Sequence, residues 1–270
     1  MDRSLKAGKT AQNRRSSSRP KLIYFVTEDW YFFSHRLALA EAAAGNGFDV
    51  AVVTRVSQHG DRIASRGIRV IPVSFQRSGI NPLRELGSTW SLFRIYRREK
   101  PGIVHHVGMK PVLEGTVAAY LAGVPSVVNA LAGLGYIFTA SSIKARLLKL
   151  AVVPMLKALL HNGRVNVIFQ NRDDLNEMVD RGIAFRERTT LIRGSGVDTK
   201  IFVPTIKHND VPIVLLASRM LWSKGVGKFV ELARMSKRDN IAARFVLVGE
   251  PDPENHDSVS LSELSRDVRF

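Results

Sequence analysis

The chain has no cysteine, so disulfides, thiolate metal sites and a cysteine nucleophile are excluded. It has no G-x-G-x-x-G run, which argues against a nicotinamide or flavin dehydrogenase. A Walker loop is missing too, since Gly227-Lys228 is followed by Phe229 and lacks the upstream glycine. Acid is scarce beside base: 24 Asp plus Glu against 40 Lys plus Arg leave a net charge of +16. That balance favours polyanionic partners (nucleic acid, anionic lipid headgroups or phosphate-bearing substrates) without choosing among them. No hydrophobic signal region opens the chain, which argues against secretion and for a cytoplasmic protein. Residues 1–20 carry six basic side chains and one acid and read as a disordered basic tail.

What is present is a chain with 45% hydrophobic residues over 270 positions, ample for a core. The charge-free stretch Gly115 to Ile143 is long enough to span a bilayer, but its glycines, Pro125 and Asn129 divide it into a helix, a Val-rich strand and a glycine loop. It reads as buried α/β core. Strands are expected at Lys21–Thr27, Asp49–Thr54, Ile68–Val73, Ile103–His106, Ser126–Ala130, Val165–Phe169 and Thr189–Ile192. Helices are expected at Ser34–Ala44, Pro82–Arg98, Pro111–Ala122 and Arg172–Arg181, and a basic amphipathic one at Ser142–Asn162 with Pro154 inside. That helix suits either the sheet or a membrane surface. Apolar strands alternating with helices imply a parallel sheet covered on both faces.

Residues 197–210 read as a linker, so the sequence divides into residues 21–200 and 201–270. The second part offers strands Pro212–Ala217 and Arg244–Val248 and one helix, Val226–Lys237. Two strands and one helix cannot bury both faces of a parallel sheet.

The chemistry gathers at strand ends, where open α/β sheets bind ligands. Ala217-Ser218-Arg219-Met220-Leu221-Trp222-Ser223-Lys224-Gly225 follows an apolar run; its arginine can fork onto two phosphate oxygens and its lysine adds a point charge. The loop Glu28 to Arg36, with His35, follows the first strand. His105 and His106 end another, with Lys110 four residues on; adjacent strand residues face opposite ways, so one histidine at most reaches a given site. Gly133 and Gly135 permit close backbone approach, and the Gly194-Ser195-Gly196-Val197-Asp198 loop offers amides for a diphosphate or serves as a hinge. No carboxylate or third histidine stands at ligand spacing, so no metal site is expected.

In order and spacing these pieces resemble the family 4 retaining glycosyltransferases of the two-domain GT-B architecture, particularly bacterial enzymes building surface polysaccharide or lipid-linked oligosaccharide. The carriers run from Lys21 to about Ser258: Ser34-His35-Arg36, Lys100 to His106 with Lys110-Pro111, Gly133-Leu134-Gly135-Tyr136, Gln170 to Asp174, Gly194 to Asp198, Ser218-Arg219 with Lys224-Gly225, and Leu247-Val248-Gly249-Glu250. The resemblance implies a complete N-terminal Rossmann-like domain and an incomplete second one. It implies that Arg219 and Lys224 hold the diphosphate of a nucleotide-sugar donor in the crevice between domains, with no metal or cofactor. It gives His105 or His106 a contact with the transferred sugar or acceptor. His35, Lys110, Gly133, Gly135, Gly196, Asp198 and Glu250 take substrate-binding roles, toward a saccharide or lipid-linked acceptor met by peripheral membrane contact. The family's paired glutamates eight residues apart are not found: after Arg219 come Glu231, Glu250, Glu254 and Glu263. The chain therefore reads as C-terminally truncated. The alternative is a noncatalytic fragment that binds a membrane or a partner chain. Nucleic-acid binding rests on charge alone and is not expected.

Overall fold

The structure, a computed structural model, describes residues 19–75, 82–133, 143–205, 210–255 and 257–267. Strand β1 (Lys21–Glu28) shows why the large unit is layered: Ile23 and Phe25 enter one core, Leu22, Tyr24 and Val26 the other. A strand apolar on both faces is stable only between two helical layers. β1 is flanked by β2 (Asp49–Arg55) and β4 (Ile103–Val107) in a seven-stranded parallel sheet. Outside β2 lies β3 (Arg69–Pro72); outside β4 lie β5 (Ser126–Leu131), β6 (Val165–Phe169) and β7 (Thr189–Leu191). Strand order reverses at β1 and β4, and the crevice beyond their carboxyl ends is where such sheets take ligands.

One face of the sheet is covered by α1 (Asp29–His35), α2 (Leu37–Gly45) and α3 (Gly60–Ala64), which bury Phe32, Leu37, Ala40 and Ile63. The other carries α4 (Pro82–Glu99), α5 (Met109–Ala122), α6 (Ile143–Leu160) and α7 (Arg172–Asp180). α6 places Val152, Leu156 and Leu160 in that core, so this side of it packs on protein. Asn171 caps α7, its side chain accepting from the Asp174 amide at 2.7 Å.

The segment after β1 is a helix, where the sequence suggests a loop. Tyr24 and Phe32 meet edge to face at 5.6 Å, so burial of Phe32 holds α1 on the sheet. At its first residue the Asp29 carboxylate accepts from the amides of Ser57, Gln58 and His59 and from the Ser57 hydroxyl, at 2.6 to 2.9 Å. Burial alone would raise its pKa, but these donors hold it at about 2. Asp29→Ala strands the three amides, and we expect it to cost about 2–4 kcal/mol at neutral pH in denaturant unfolding, against under ~0.5 for an exposed Asp→Ala.

The small unit begins at Val197. β8 (Ile213–Ala217) and β9 (Arg244–Val248) pair in parallel. α8 (Val226–Arg238) and the short α9 (Leu261–Asp267) supply Val226 and Leu264 to a core with Met220, Val259, Leu216 and Leu247. Alternate residues of β8 stand out of it, Leu215 being 57% exposed. The core of the pair thus lies on one face.

Candidate functional site

The two histidines of β4 part to opposite cores. His106 is fully buried: Nδ1 is 2.8 Å from Asn129 Oδ1 and Nε2 3.1 Å from the Tyr96 hydroxyl. A Cβ added at Gly115 would come within 2.6 Å of its ring, so α5 crosses directly on the imidazole and needs a glycine there. His106 has no edge left for a ligand; its geometry is that of a packed core histidine. His105 lies on the other face, 7% exposed, stacked on Tyr24 at 5.0 Å, with a buried Nε2 that has no hydrogen-bond partner. Burial, then the Arg36 and His106 charges, lower His105 to about 3; burial lowers His106 to about 4 against the Asn129 hydrogen bond.

Lys110, on the first turn of α5, donates to Glu85 at 2.8 Å and sits 4.7 Å over the Phe75 ring. Beside it Glu114 is buried, accepts a short hydrogen bond from the Ser88 hydroxyl and is pushed up to about 8 by burial and by the adjoining Glu85. Glu85 is lowered by Glu114 and Lys110 against its own burial. Glu114 therefore retains the proton of this carboxyl pair, and Lys110 neutralises Glu85.

These shifts have opposite signs in stability. An unfolded histidine titrates near 6.5, above both folded values, so protons drawn by the unfolded chain destabilise the fold as pH drops below 6.5. Glu114 keeps in the fold a proton that the unfolded chain releases above 4.5; what it contributes is complete below 4.5 and lost as pH rises through 8. Between 6.5 and 4.5 it offsets one histidine of two. Glu114→Gln should accordingly steepen acid destabilisation near pH 5.5 by roughly one proton's worth of pH dependence, read from urea unfolding at a series of pH values.

His35 is exposed, its Nδ1 2.6 Å from the Ser34 hydroxyl and its ring stacked on Tyr31 at 4.3 Å. Burial and then Arg36 lower its pKa against a Tyr31 backbone hydrogen bond. Gly133 (φ 130°) and Gly196 (φ 70°) are left-handed with no atom within 4 Å of an added Cβ, leaving room above their backbones. Gly135 lies outside the described residues. Asp198 is engaged locally, its carboxylate accepting from the Lys200 amide at 2.9 Å.

In the small unit, Arg219 follows β8 and is 45% exposed; Nη1 donates to Asp252 at 2.7 Å. Asp252, itself buried, orients the guanidinium. Lys224 is exposed at the end of a 3₁₀ turn, Trp222–Lys224, directly before α8. That turn is pinned: Trp222 N donates to the Asp257 carbonyl at 3.0 Å and Ser223 N to its carboxylate at 2.8 Å, and the Ser223 hydroxyl, then this amide, lower the Asp257 pKa. The Glu250 carbonyl accepts from Met220 N at 3.0 Å. Asp252, Asp257 and Glu114 have no signal in the sequence, and Arg36 stands there only as part of Ser34-His35-Arg36, without a role of its own. Among the described residues no group of three or more His, Asp or Glu is placed to hold a metal ion, and no helix is long and apolar enough to cross a membrane.

Residues 21–171 match the family described as glycosyl transferase 4-like. The chain belongs to that family. Two relatives of this glycosyl transferase 4-like chain carry names. One, 26% identical over 86% of the chain, is the Campylobacter jejuni N,N'-diacetylbacillosaminyl-diphospho-undecaprenol alpha-1,3-N-acetylgalactosaminyltransferase. The other, 25% identical over 77%, is the Escherichia coli UDP-Gal:alpha-D-GlcNAc-diphosphoundecaprenol alpha-1,3-galactosyltransferase. The chain spans 64% and 56% of their lengths. Among solved structures, sucrose-phosphate synthase from Thermosynechococcus elongatus aligns with a TM-score of 0.65 at 18% identity, over 93% of this chain and 67% of that one. Alr3699/HepE of Anabaena, solved with UDP and glucose, aligns at 0.64 and 14% identity, over 92% and 66%. These likenesses establish the fold of the glycosyl transferase 4-like chain as α/β and GT-B-like.

Proposed function

We propose that the chain is a glycosyltransferase that moves a hexosyl residue, with retention, from a nucleoside-diphosphate sugar to a lipid-linked or saccharide acceptor. The observation that carries the reading is the pinned cationic loop of the small unit. Arg219, set by Asp252, and Lys224, on a turn fixed by Asp257, follow a parallel strand and precede a helix. Two cations on a rigid loop match a diphosphate leaving group, whose charge grows as the glycosidic bond breaks. In this reading they take the part a divalent metal plays elsewhere, and no cofactor is required. The strand ends of the large unit take the acceptor, with His105 toward the sugar and Lys110 nearby. Both relatives are named for transfer to a diphospho-undecaprenol-linked sugar in alpha-1,3 linkage, which supports a lipid-linked acceptor. An α-linked product from an α-linked donor is retention. Such an acceptor places the basic protein peripherally at the cytoplasmic membrane face.

The test is incubation of the full chain with UDP-galactose or UDP-N-acetylgalactosamine and a sugar-diphospho-undecaprenol, with product analysis by mass spectrometry and NMR. The expected product carries one added galactosyl or N-acetylgalactosaminyl unit in α linkage, according to the donor, with UDP released. Donor hydrolysis without transfer, or a β-linked product, contradicts it.

A further inference from the structure

Arg36 carries a charge that its surroundings do not neutralise. The residue is 7% exposed, and Nη1 donates to two neutral acceptors, the His35 carbonyl at 3.1 Å and the Ser195 hydroxyl at 3.0 Å. Its Nε is buried without an acceptor, and no carboxylate among the described residues lies within 4 Å. A guanidinium does not shed its proton, so an enclosed one with neither counter-ion nor a full set of acceptors is strongly unfavourable. Evolution tolerates such a cost where a ligand removes it.

Next to it stands a second unmet group. His105 is equally enclosed, and its Nε2 has no partner. Tyr24 pairs with His105 across β1 and β4 and stacks on its ring, and the Arg36 charge bears on both groups. The cover over Arg36 is Ser195, an exposed residue between Gly194 and Gly196, both left-handed. Its hydroxyl occupies the position on Nη1 that an incoming oxygen would take.

We propose that Arg36, His105 and Ser195 form a binding site for a phosphate oxyanion. The donors come from three segments, the α1–α2 junction, β4 and the loop after β7, and a phosphate oxyanion accepts from several donors at once. A doubly charged phosphate also offsets the buried cation more completely than a carboxylate does. The diphosphate of a nucleotide and that of a polyprenyl-linked molecule share this chemistry. All three residues belong to the large unit.

The experiment uses the full chain carrying Arg219→Ala and Lys224→Ala, so that the donor loop does not contribute. Thermal unfolding is followed with inorganic pyrophosphate, UDP, farnesyl diphosphate and acetate. Pyrophosphate should raise the melting temperature, and adding Arg36→Gln should weaken it at least about tenfold, the scale of a lost charge-assisted hydrogen bond. Without ligand, Arg36→Gln should melt at the same temperature or higher, because an unneutralised charge has been removed. Stronger protection by farnesyl diphosphate assigns the site to the lipid-linked partner, and stronger protection by UDP to the nucleotide. The proposal is overturned if pyrophosphate does not protect while Arg36 is intact, or if Arg36→Gln leaves protection unchanged. It is equally overturned if acetate protects as well as pyrophosphate, or if Arg36→Gln without ligand melts several degrees lower. Should Arg36→Gln not fold, the His105 imidazole NMR signals decide: a shift on pyrophosphate addition is expected, and unmoved signals refute the site.

Discussion

Gly249→Ala is expected to melt the small unit while leaving the large one folded. A Cβ at that position would lie 1.8 Å from the Ser218 carbonyl oxygen and 2.9 Å from its carbon, and the backbone there has φ 142°. The obstacle is main chain, so no rotamer change relieves it. The clash falls where Ser218 N donates to the Val248 carbonyl and Met220 N to that of Glu250, the two hydrogen bonds that lay the Arg219 segment beside residues 248–250. Pushing these strands apart costs at least ~3 kcal/mol by overpacking and backbone strain together. The unit has a thin core, Met220, Val226 and Val259 with three partly buried neighbours, and little to absorb that loss. Hydrogen exchange should show β8 and β9 unprotected in the variant with β1, β4 and β5 protected as before. Equal protection throughout would refute this account of Gly249.

The second large effect concerns Arg219. Its guanidinium is held from one side by Asp252 at 2.7 Å, and its exposed remainder faces solvent. If it meets the leaving diphosphate, removing it takes away stabilisation that grows in the transition state. Turnover then falls about 10²–10³-fold, while the folded state changes little, because a half-exposed ion pair contributes under ~1 kcal/mol. Arg219→Lys should recover only part of the rate, since a point charge cannot fork onto two oxygens. Asp252→Asn should lower turnover less, by leaving the guanidinium in place but unheld. The measurement is single-turnover transfer beside a urea melt for each variant. A full rate with Arg219→Ala contradicts the assignment.

The large unit was legible because its strands are apolar on both faces, a pattern that only a doubly covered parallel sheet produces. β6 and β9 begin and end where periodicity puts them, at Val165 and Phe169 and at Arg244 and Val248. α1 was hidden because Trp30, Tyr31, Phe32 and Phe33 give no 3.6-residue rhythm; its helix depends on tertiary contact between Phe32 and Tyr24. α9 did carry a signal. Ser260 and Glu263 form a capping box, Glu263 N donating to the serine hydroxyl at 3.2 Å and Ser260 N to the glutamate at 2.8 Å.

In the site, types were readable and neighbours were not. Alternation along β4 separates His105 from His106, but only the crossing of α5 at Gly115 shows which is sealed. His35 drew attention as a histidine, whereas the enclosed charge belongs to Arg36, and burial of one residue beside an exposed one cannot be read from a helix start. Asp252 and Asp257 lie more than thirty residues from the cations they set, so sequence spacing gave no hint of either.

The most direct test is calorimetric titration of the full chain with UDP in the absence of divalent metal, beside the Arg219→Ala, Lys224→Ala double variant. The account predicts binding by the native chain and affinity lost at least about a hundredfold in the double variant, as two charge-assisted contacts require. Equal affinity in both proteins, or native binding that appears only when a divalent metal is added, would contradict it.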